Sequence, residues 1–265
     1  MDEPQLHIER IFLYPIKSCA YFEVENSWLI SETGLQFDRE WMIIDERGVA
    51  LTQKYEPRLC FIQPRVNLET QHLELHYKGE LSESYNGPLD RSKVCGDNIT
   101  IRDCGEDVAH WLAKILDRDN IRLVRHIQRH SKNNSGKNSI NKLPLTLSNQ
   151  GQYLLINMAS VQWLRELVAE SIDLTEENLM HRFRCNFVIS PTEKPMEELK
   201  WTELKIGNLK FKVDRPCTRC PKINIDQQTA EKSFDEPFAT LSTNLKGKVE
   251  FGIYMREDFQ SIKIP

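Results

Sequence analysis

Leu209-Lys210-Phe211-Lys212-Val213-Asp214-Arg215-Pro216-Cys217-Thr218-Arg219-Cys220-Pro221 is the stretch on which the reading of this chain turns. Leu209 to Val213 reads as a strand. It runs into two thiols three positions apart, with prolines on both sides and Arg215, Arg219 and Lys222 around them. Cationic neighbours stabilise a thiolate, the form that attacks sulfur or ligates a metal. The residues that follow, Pro221-Lys222-Ile223-Asn224-Ile225-Asp226, also read as a strand, so the segment is expected to lie within a sheet-forming part of the chain.

The rest of the chain agrees with a strand-rich class. His7 to Tyr14 and Trp41-Met42-Ile43-Ile44 are β-branched or aromatic runs, and the turn-prone Asp45-Glu46-Arg47-Gly48 follows the second. Leu73-Glu74-Leu75-His76-Tyr77 alternates with period two. Phe187-Val188-Ile189 and Val249 to Tyr254 read as strands as well. Gly105 to Leu116 predicts a helix with Val108, Trp111, Leu112 and Ile115 on one face. Ser160 is expected to cap a second helix, with Val161, Leu164, Leu167 and Val168 as its apolar stripe. The polar, basic stretch from about Arg125 to Lys142 has the composition of an exposed loop and suggests a domain boundary. The expected class is α+β, strand-rich, with few helices, divided into residues 1–130 and 131–265.

Composition excludes several roles. The chain has 265 residues, enough for one large domain or two small ones, with 40% hydrophobic and 28% charged residues. No run is long and apolar enough to cross a bilayer, and Met-Asp-Glu-Pro-Gln is unlike a targeting signal. A net charge of −4 gives no general pull towards nucleic acid. Seven cysteines, an odd count, without an export signal favour reduced thiols and a cytoplasmic location.

Four readings of the Cys217–Cys220 pair compete. A closed zinc site needs four ligands, and the chain holds no second CxxC and no histidine pair following the thiols at finger spacing. A thioredoxin-type dithiol sits at the start of a helix, whereas the sequel here reads as a strand. Two unconnected core cysteines fit poorly with flanking prolines and three cations. A soft or redox-active metal suits a thiolate. The basic stretch Lys132 to Lys142 lacks the aromatics that would stack nucleic-acid bases. His126 and His130 read as a surface pair.

Other polar segments supply the groups that bind a phosphate-bearing ligand, namely guanidinium forks, a lysine point charge and hydroxyls. They are Tyr14-Pro15-Ile16-Lys17-Ser18-Cys19, Gly34 to Trp41 with Arg39, Glu56-Pro57-Arg58-Leu59, and His181-Arg182-Phe183-Arg184-Cys185-Asn186.

Taken in order, these segments resemble the molybdenum cofactor sulfurase C-terminal (MOSC) family over almost the whole chain. YPIKSC, GLQFDREWMI and QKYEPRL are similar to the N-terminal β-barrel-like portion, about residues 5 to 125. HRFRCN, PCTRC with Ile225-Asp226-Gln227-Gln228-Thr229, and VEFGIY resemble the MOSC domain itself. IDQQT, CGDNITIRDCGE and QYLLIN look like the eukaryotic sulfurase branch. The amidoxime-reducing oxidoreductase branch, which usually carries a membrane anchor, is the alternative, and a non-catalytic cofactor carrier is a third reading.

The resemblance implies binding of molybdenum cofactor (molybdopterin) and its sulfuration. Persulfide sulfur would pass to the metal, giving the sulfido form that xanthine dehydrogenase and aldehyde oxidase need. It implies Cys220 as the catalytic residue and molybdenum ligand. Cys217 and Thr218 would line the same pocket, and Lys17, Ser18, Arg39, Arg58, Asn157, Ser160, Arg184 and Tyr254 would bind the cofactor. The family's sulfurases place an N-terminal pyridoxal-phosphate cysteine desulfurase domain before this part. These 265 residues leave no room for one, so the chain alone is not expected to liberate sulfur from L-cysteine. Ala230 stands where the family more often has glycine.

Overall fold

The computed structural model describes residues 7–24, 28, 30–67, 70–83, 89–94, 97–130, 145–148, 151–170, 172–232 and 235–258. The basic stretch Lys132 to Lys142 lies outside them.

In chain order the strands are β1 (Ile8–Leu13), β2 (Phe22–Val24), β3 (Ile30–Ser31), β4 (Gly34–Leu35), β5 (Trp41–Ile44), β6 (Gln63–Val66), β7 (Leu73–Tyr77), β8 (Glu80–Glu83), β9 (Leu89–Val94), β10 (Asp97–Asp103), β11 (Arg122–His130), β12 (Tyr153–Asn157), β13 (Phe187–Ile189), β14 (Glu203–Ile206), β15 (Leu209–Thr218) and β16 (Glu250–Glu257). Four α-helices accompany them among the described residues: α1 (Glu106–Leu116), α2 (Met158–Leu167), α3 (Glu176–Phe183) and α4 (Phe238–Asn244). The strand-rich α+β class stands.

The chain forms two compact units. One gathers residues 1–12, 23–27 and 150–265, and the other residues 13–22 and 28–149. The first is organised on a seven-stranded sheet in the order β14-β15-β16-β12-β13-β1-β2. Its inner strands β12 and β13 are parallel and every residue of both is buried. Strands covered on both faces read as continuous apolar runs rather than alternations, as Tyr153-Leu154-Leu155-Ile156 does. Helices α2 and α3 form the crossover between them. Tyr153 lies 5.6 Å from Phe187 and 5.4 Å from Phe211 between ring centroids, which ties β12, β13 and β15 into one core.

The second unit holds a four-stranded sheet, β5-β11-β10-β9, with α1 joining β10 to β11. Val108 and Leu112 of α1 bury against Ile16, Trp41, Ile43, Leu59 and Leu123, while Trp111 and Ile115 flank that core partly buried. This is the helix face the periodicity predicts.

Two local expectations are corrected. Asn157, not Ser160, caps α2, its side chain accepting the Ala159 amide at 3.0 Å. Asn at a strand end with ψ near 130° already has the extended backbone a cap needs, and Ser160 lies inside the first turn. Pro221–Asn224 forms a 3-10 turn rather than a strand. Proline fixes φ near the helical value and suits the first turn, which a β-propensity reading of Ile223 and Ile225 overlooks.

Candidate functional site

In the first unit, β15 carries the two thiols along β16. Its pairing is Val213↔Met255, Arg215↔Tyr254, Pro216↔Ile253 and Thr218↔Glu250, with a register shift before Arg215 and another before Thr218. The second shift needs an extra residue on β16, and Gly252 supplies it at φ +72°. A Cβ there would come 2.5 Å from the Leu155 carbonyl oxygen, so only glycine fits.

The shift separates the thiols. Cys217 is 2% exposed, packed inward, whereas Cys220 is exposed at the start of the 3-10 turn. Cys220 is the exposed member of the six described cysteines. Thr218 is exposed beside it. Arg219, between them, turns inward: Nε donates to the Phe251 carbonyl at 2.8 Å and Nη1 to the Phe183 carbonyl at 2.9 Å.

The segment after Cys220 is tied to α3. Arg182 donates to Asp226 at 2.8 Å and to the Ile223 carbonyl at 3.3 Å, and Asn178 donates to Asp226 at 2.5 Å. The other carboxylate oxygen of Asp226 accepts the amides of Gln228 and Thr229 at 2.7 and 2.9 Å. Burial pushes the Asp226 carboxyl up, but hydrogen bonds from Asn178, Thr229 and Gln228 and the Arg182 charge outweigh it and hold it below its ordinary value. Helix α3 begins at Thr175, whose hydroxyl accepts the Asn178 amide, and ends at Arg184 in the left-handed region, φ 54°. Arg184 Nη1 reaches Gln227 Oε1 at 3.4 Å. Arg184 and Cys220 therefore sit on one braced frame.

Tyr254 is half-buried, with the Arg215 guanidinium 5.7 Å from its ring centre. Gly151 leaves the space the ring occupies, since a Cβ there would lie 2.7 Å from Tyr254 Cδ1. Asn157 and Ser160 are fully buried. Ser160 Oγ donates to Glu198 at 2.9 Å, and Asn157 Nδ2 donates to Thr192 Oγ1 at 2.8 Å and Glu198 at 3.2 Å. Burial pushes the Glu198 carboxyl up, and the Ser160 and Asn157 donors offset part of that.

In the second unit, three segments converge. Lys17 Nζ donates to the Leu147 carbonyl at 2.9 Å, and the Leu147 amide donates to the Arg39 carbonyl at 2.9 Å. The Arg39 amide donates to the Tyr14 carbonyl at 2.8 Å, and the Arg39 guanidinium lies 4.3 Å from the Tyr14 ring centre, paired with Asp38 at 2.5 Å. Ser18, Phe37 and Arg39 all have positive φ, 70°, 68° and 50°. Strained backbone of this kind persists where the surroundings over-determine it, often at ligand clamps. Lys17, Ser18 and Arg39 thus come together. Arg58 is engaged elsewhere, bidentate on Glu56 at 2.7 and 2.9 Å and capping the Leu116 carbonyl of α1 at 2.6 Å.

Residue-type reasoning missed the brace of Arg182 and Asn178 on Asp226, the buried Glu198 and the inward turn of Arg219. Only Asp226 left a trace, an Asp two and three residues before polar turn positions.

The family model described as "MOSC N-terminal beta barrel domain" matches residues 5–119, and that described as "MOSC domain" matches 142–263. Molybdenum cofactor sulfurase 1 of Aedes aegypti is 41% identical over 267 residues, which span 96% of this chain and 34% of that protein. The molybdenum cofactor sulfurase of Danio rerio is 41% identical over 273 residues, 96% of this chain and 32% of the other. That of Homo sapiens is 38% identical over 267 residues, 94% and 30%. The chain spans about a third of the length of these relatives. With two ordered domain matches on this geometry, the chain belongs to the MOSC family, and its relatives there are molybdenum cofactor sulfurases.

Proposed function

We propose that this chain binds molybdenum cofactor and supports its sulfuration, with Cys220 as the residue that carries sulfur and meets the metal. The observation behind this is the separation of the thiols: Cys220 is exposed while Cys217, three residues earlier, is buried. An exposed soft sulfur on a braced turn fits a soft-metal ligand. The cofactor, when bound, supplies the molybdenum that takes the sulfur. Cys220, as thiolate, attacks the outer sulfur of a donor persulfide; the donor S–S bond breaks and the donor leaves as a thiolate. Arg184, Thr218 and Tyr254 are proposed to line the same pocket, with Cys217 in its wall. Lys17, Ser18 and Arg39 are proposed to hold the cofactor's phosphate. For Arg58, Asn157 and Ser160, which already make hydrogen bonds within the protein, we propose supporting work: bracing α1, and holding Glu198 beneath α2.

On this reading residues 1–130 and 131–265 are the two family portions. The donor is an N-terminal cysteine desulfurase domain with pyridoxal phosphate, the acceptors are xanthine dehydrogenase and aldehyde oxidase, and the setting is the cytoplasm. The test is to purify the protein from a host that makes molybdopterin and assay bound pterin and molybdenum. Wild type is expected to retain both, and Cys220→Ala to lose molybdenum preferentially. Absence of both from wild type, with Cys220→Ala identical, would sink the proposal.

A further inference from the structure

Arg219 is one of the two residues between the thiols, and it points away from the surface that Cys220 occupies. Its backbone amide donates to the Val249 carbonyl at 2.8 Å, Nε to the Phe251 carbonyl at 2.8 Å, and Nη1 to the Phe183 carbonyl at 2.9 Å. One side chain therefore joins β16 to the last helical residue of α3, immediately before Arg184. The guanidinium lies 4.9 Å from the Phe183 ring centre, and Phe183 itself stacks on Phe251 at 4.0 Å and 11°. Gly252 lies beside it: a Cβ there would touch Nη2 at 3.4 Å, an ordinary contact, but would clash with Ile156 and the Leu155 carbonyl.

No carboxylate among the described residues pairs with this cation, and Nη2 is buried without a hydrogen-bond partner. Neutral carbonyls and an aromatic face are what hold it. A planar fork with fixed donor directions can bridge two carbonyls on different elements, which a lysine ammonium on its flexible stem does not reproduce. A charged donor left with the two N–H groups of a buried Nη2 unmade is costly, so it is the kind of feature that selection for stability alone removes.

We propose that Arg219 is a positioning residue: by fastening Phe251 and Phe183 to the strand end, it sets Cys220 outward and Cys217 inward and holds Cys220 at a fixed place relative to Arg184. The role deepens the proposed function, because Cys220 is the sulfur-carrying thiol of that reading. It concerns the presentation of the thiol, and it operates with no cofactor bound.

The experiment is peptide-mapped alkylation of the full chain by iodoacetamide under native conditions, comparing Cys220 with Cys217 across a pH series. Thermal melts monitor the fold. Wild type is expected to alkylate Cys220 far faster than Cys217. In Arg219→Gln, with a cooperative melt, the Cys220:Cys217 rate ratio is expected to fall by about tenfold, the scale of one lost charge-assisted hydrogen bond. If Arg219→Gln does not fold, Arg219→Lys is read on the same ratio. That variant keeps the charge but cannot bridge both carbonyls, so its ratio is also expected to fall. A ratio that stays at the wild-type value in a folded variant overturns the proposal. So does a change confined to the pH midpoint of Cys220 alkylation, because that would make Arg219 an electrostatic neighbour. Failure of cofactor retention with the thiol ratio behaving as expected would count against the proposed function and leave this inference standing.

Discussion

Ala230 stands at φ 60° in the turn closed by Asp226, its amide donating to the Asp226 carbonyl at 3.0 Å. A Cβ in the left-handed region crowds the backbone, whereas glycine adopts it freely. Ala230→Gly is expected to raise stability by about 1 kcal/mol, read from urea unfolding. A neutral or destabilising result would show that the turn relaxes around the alanine at no cost. The brace on the same turn, Arg182 with Asp226, has a pH consequence. The Asp226 carboxyl lies below its ordinary value when folded, so its contribution is present above the unfolded pKa and is lost as pH falls through the depressed one. At this scale the sequence was partly legible. The thiols, Lys17, Arg39 and Arg184 could be picked out by type and neighbours. Which arginine faces a ligand and which a carbonyl could not, because 182, 184 and 219 look alike until the backbone directs each one.

At the scale of elements, the β15–β16 pair and its bulges carry the candidate site, and Gly252 is the residue on which the second bulge depends. Gly252→Ala is expected to cost at least about 2 kcal/mol, since it combines a positive φ with a backbone clash that no side chain can relieve. A melt within a degree of wild type would show that β12 and β16 can part locally. Behind α2, Glu198 accepts from Ser160 and Asn157 in a fully buried setting, with its carboxyl raised by burial. The native state therefore holds this proton more tightly than the unfolded chain. Stability associated with it is full below the unfolded carboxyl pKa and declines as pH rises through the raised one. Glu198→Gln, which keeps an acceptor for Ser160, is expected to flatten that decline. The check is unfolding free energy measured from mildly acidic to neutral pH, and an unchanged slope would assign the proton elsewhere. Strand positions such as Trp41–Ile44, Leu73–Tyr77 and Phe187–Ile189 were legible to the residue from β-branched and aromatic runs. Helix α3 was not, because its short Glu176–Phe183 span carries three charged residues and a histidine. Burial of its Leu179, Met180 and Phe183 stabilises it more than propensity does.

At the scale of the whole molecule, the first strand sits in the sheet between its sequence neighbour β2 and the distant β13, and β12 and β13 run parallel through a two-helix crossover. Matches to residues 5–119 and 142–263 account for most of the chain, and the relatives are about three times as long. We expect these 265 residues to accept sulfur from a small-molecule persulfide. Given a persulfide donor, they should accumulate sulfane sulfur at Cys220, and mass mapping should show none in Cys220→Ala. Labelling of Cys220→Ala at the wild-type level would overturn the expectation.

Sequence by itself determined the strand-rich class, most strand positions, the family and the two thiols, because side-chain type and spacing are local properties that survive without coordinates. Only the tertiary structure decided that Cys217 faces inward and Cys220 outward, that Asn157 caps α2, and that Arg182 and Arg219 brace the turn Cys220 begins. Those outcomes depend on Gly252, Leu155, Phe183 and Phe251, residues distant in sequence from most of what they position, and hydrogen bonds between such elements leave no periodic signal in the chain.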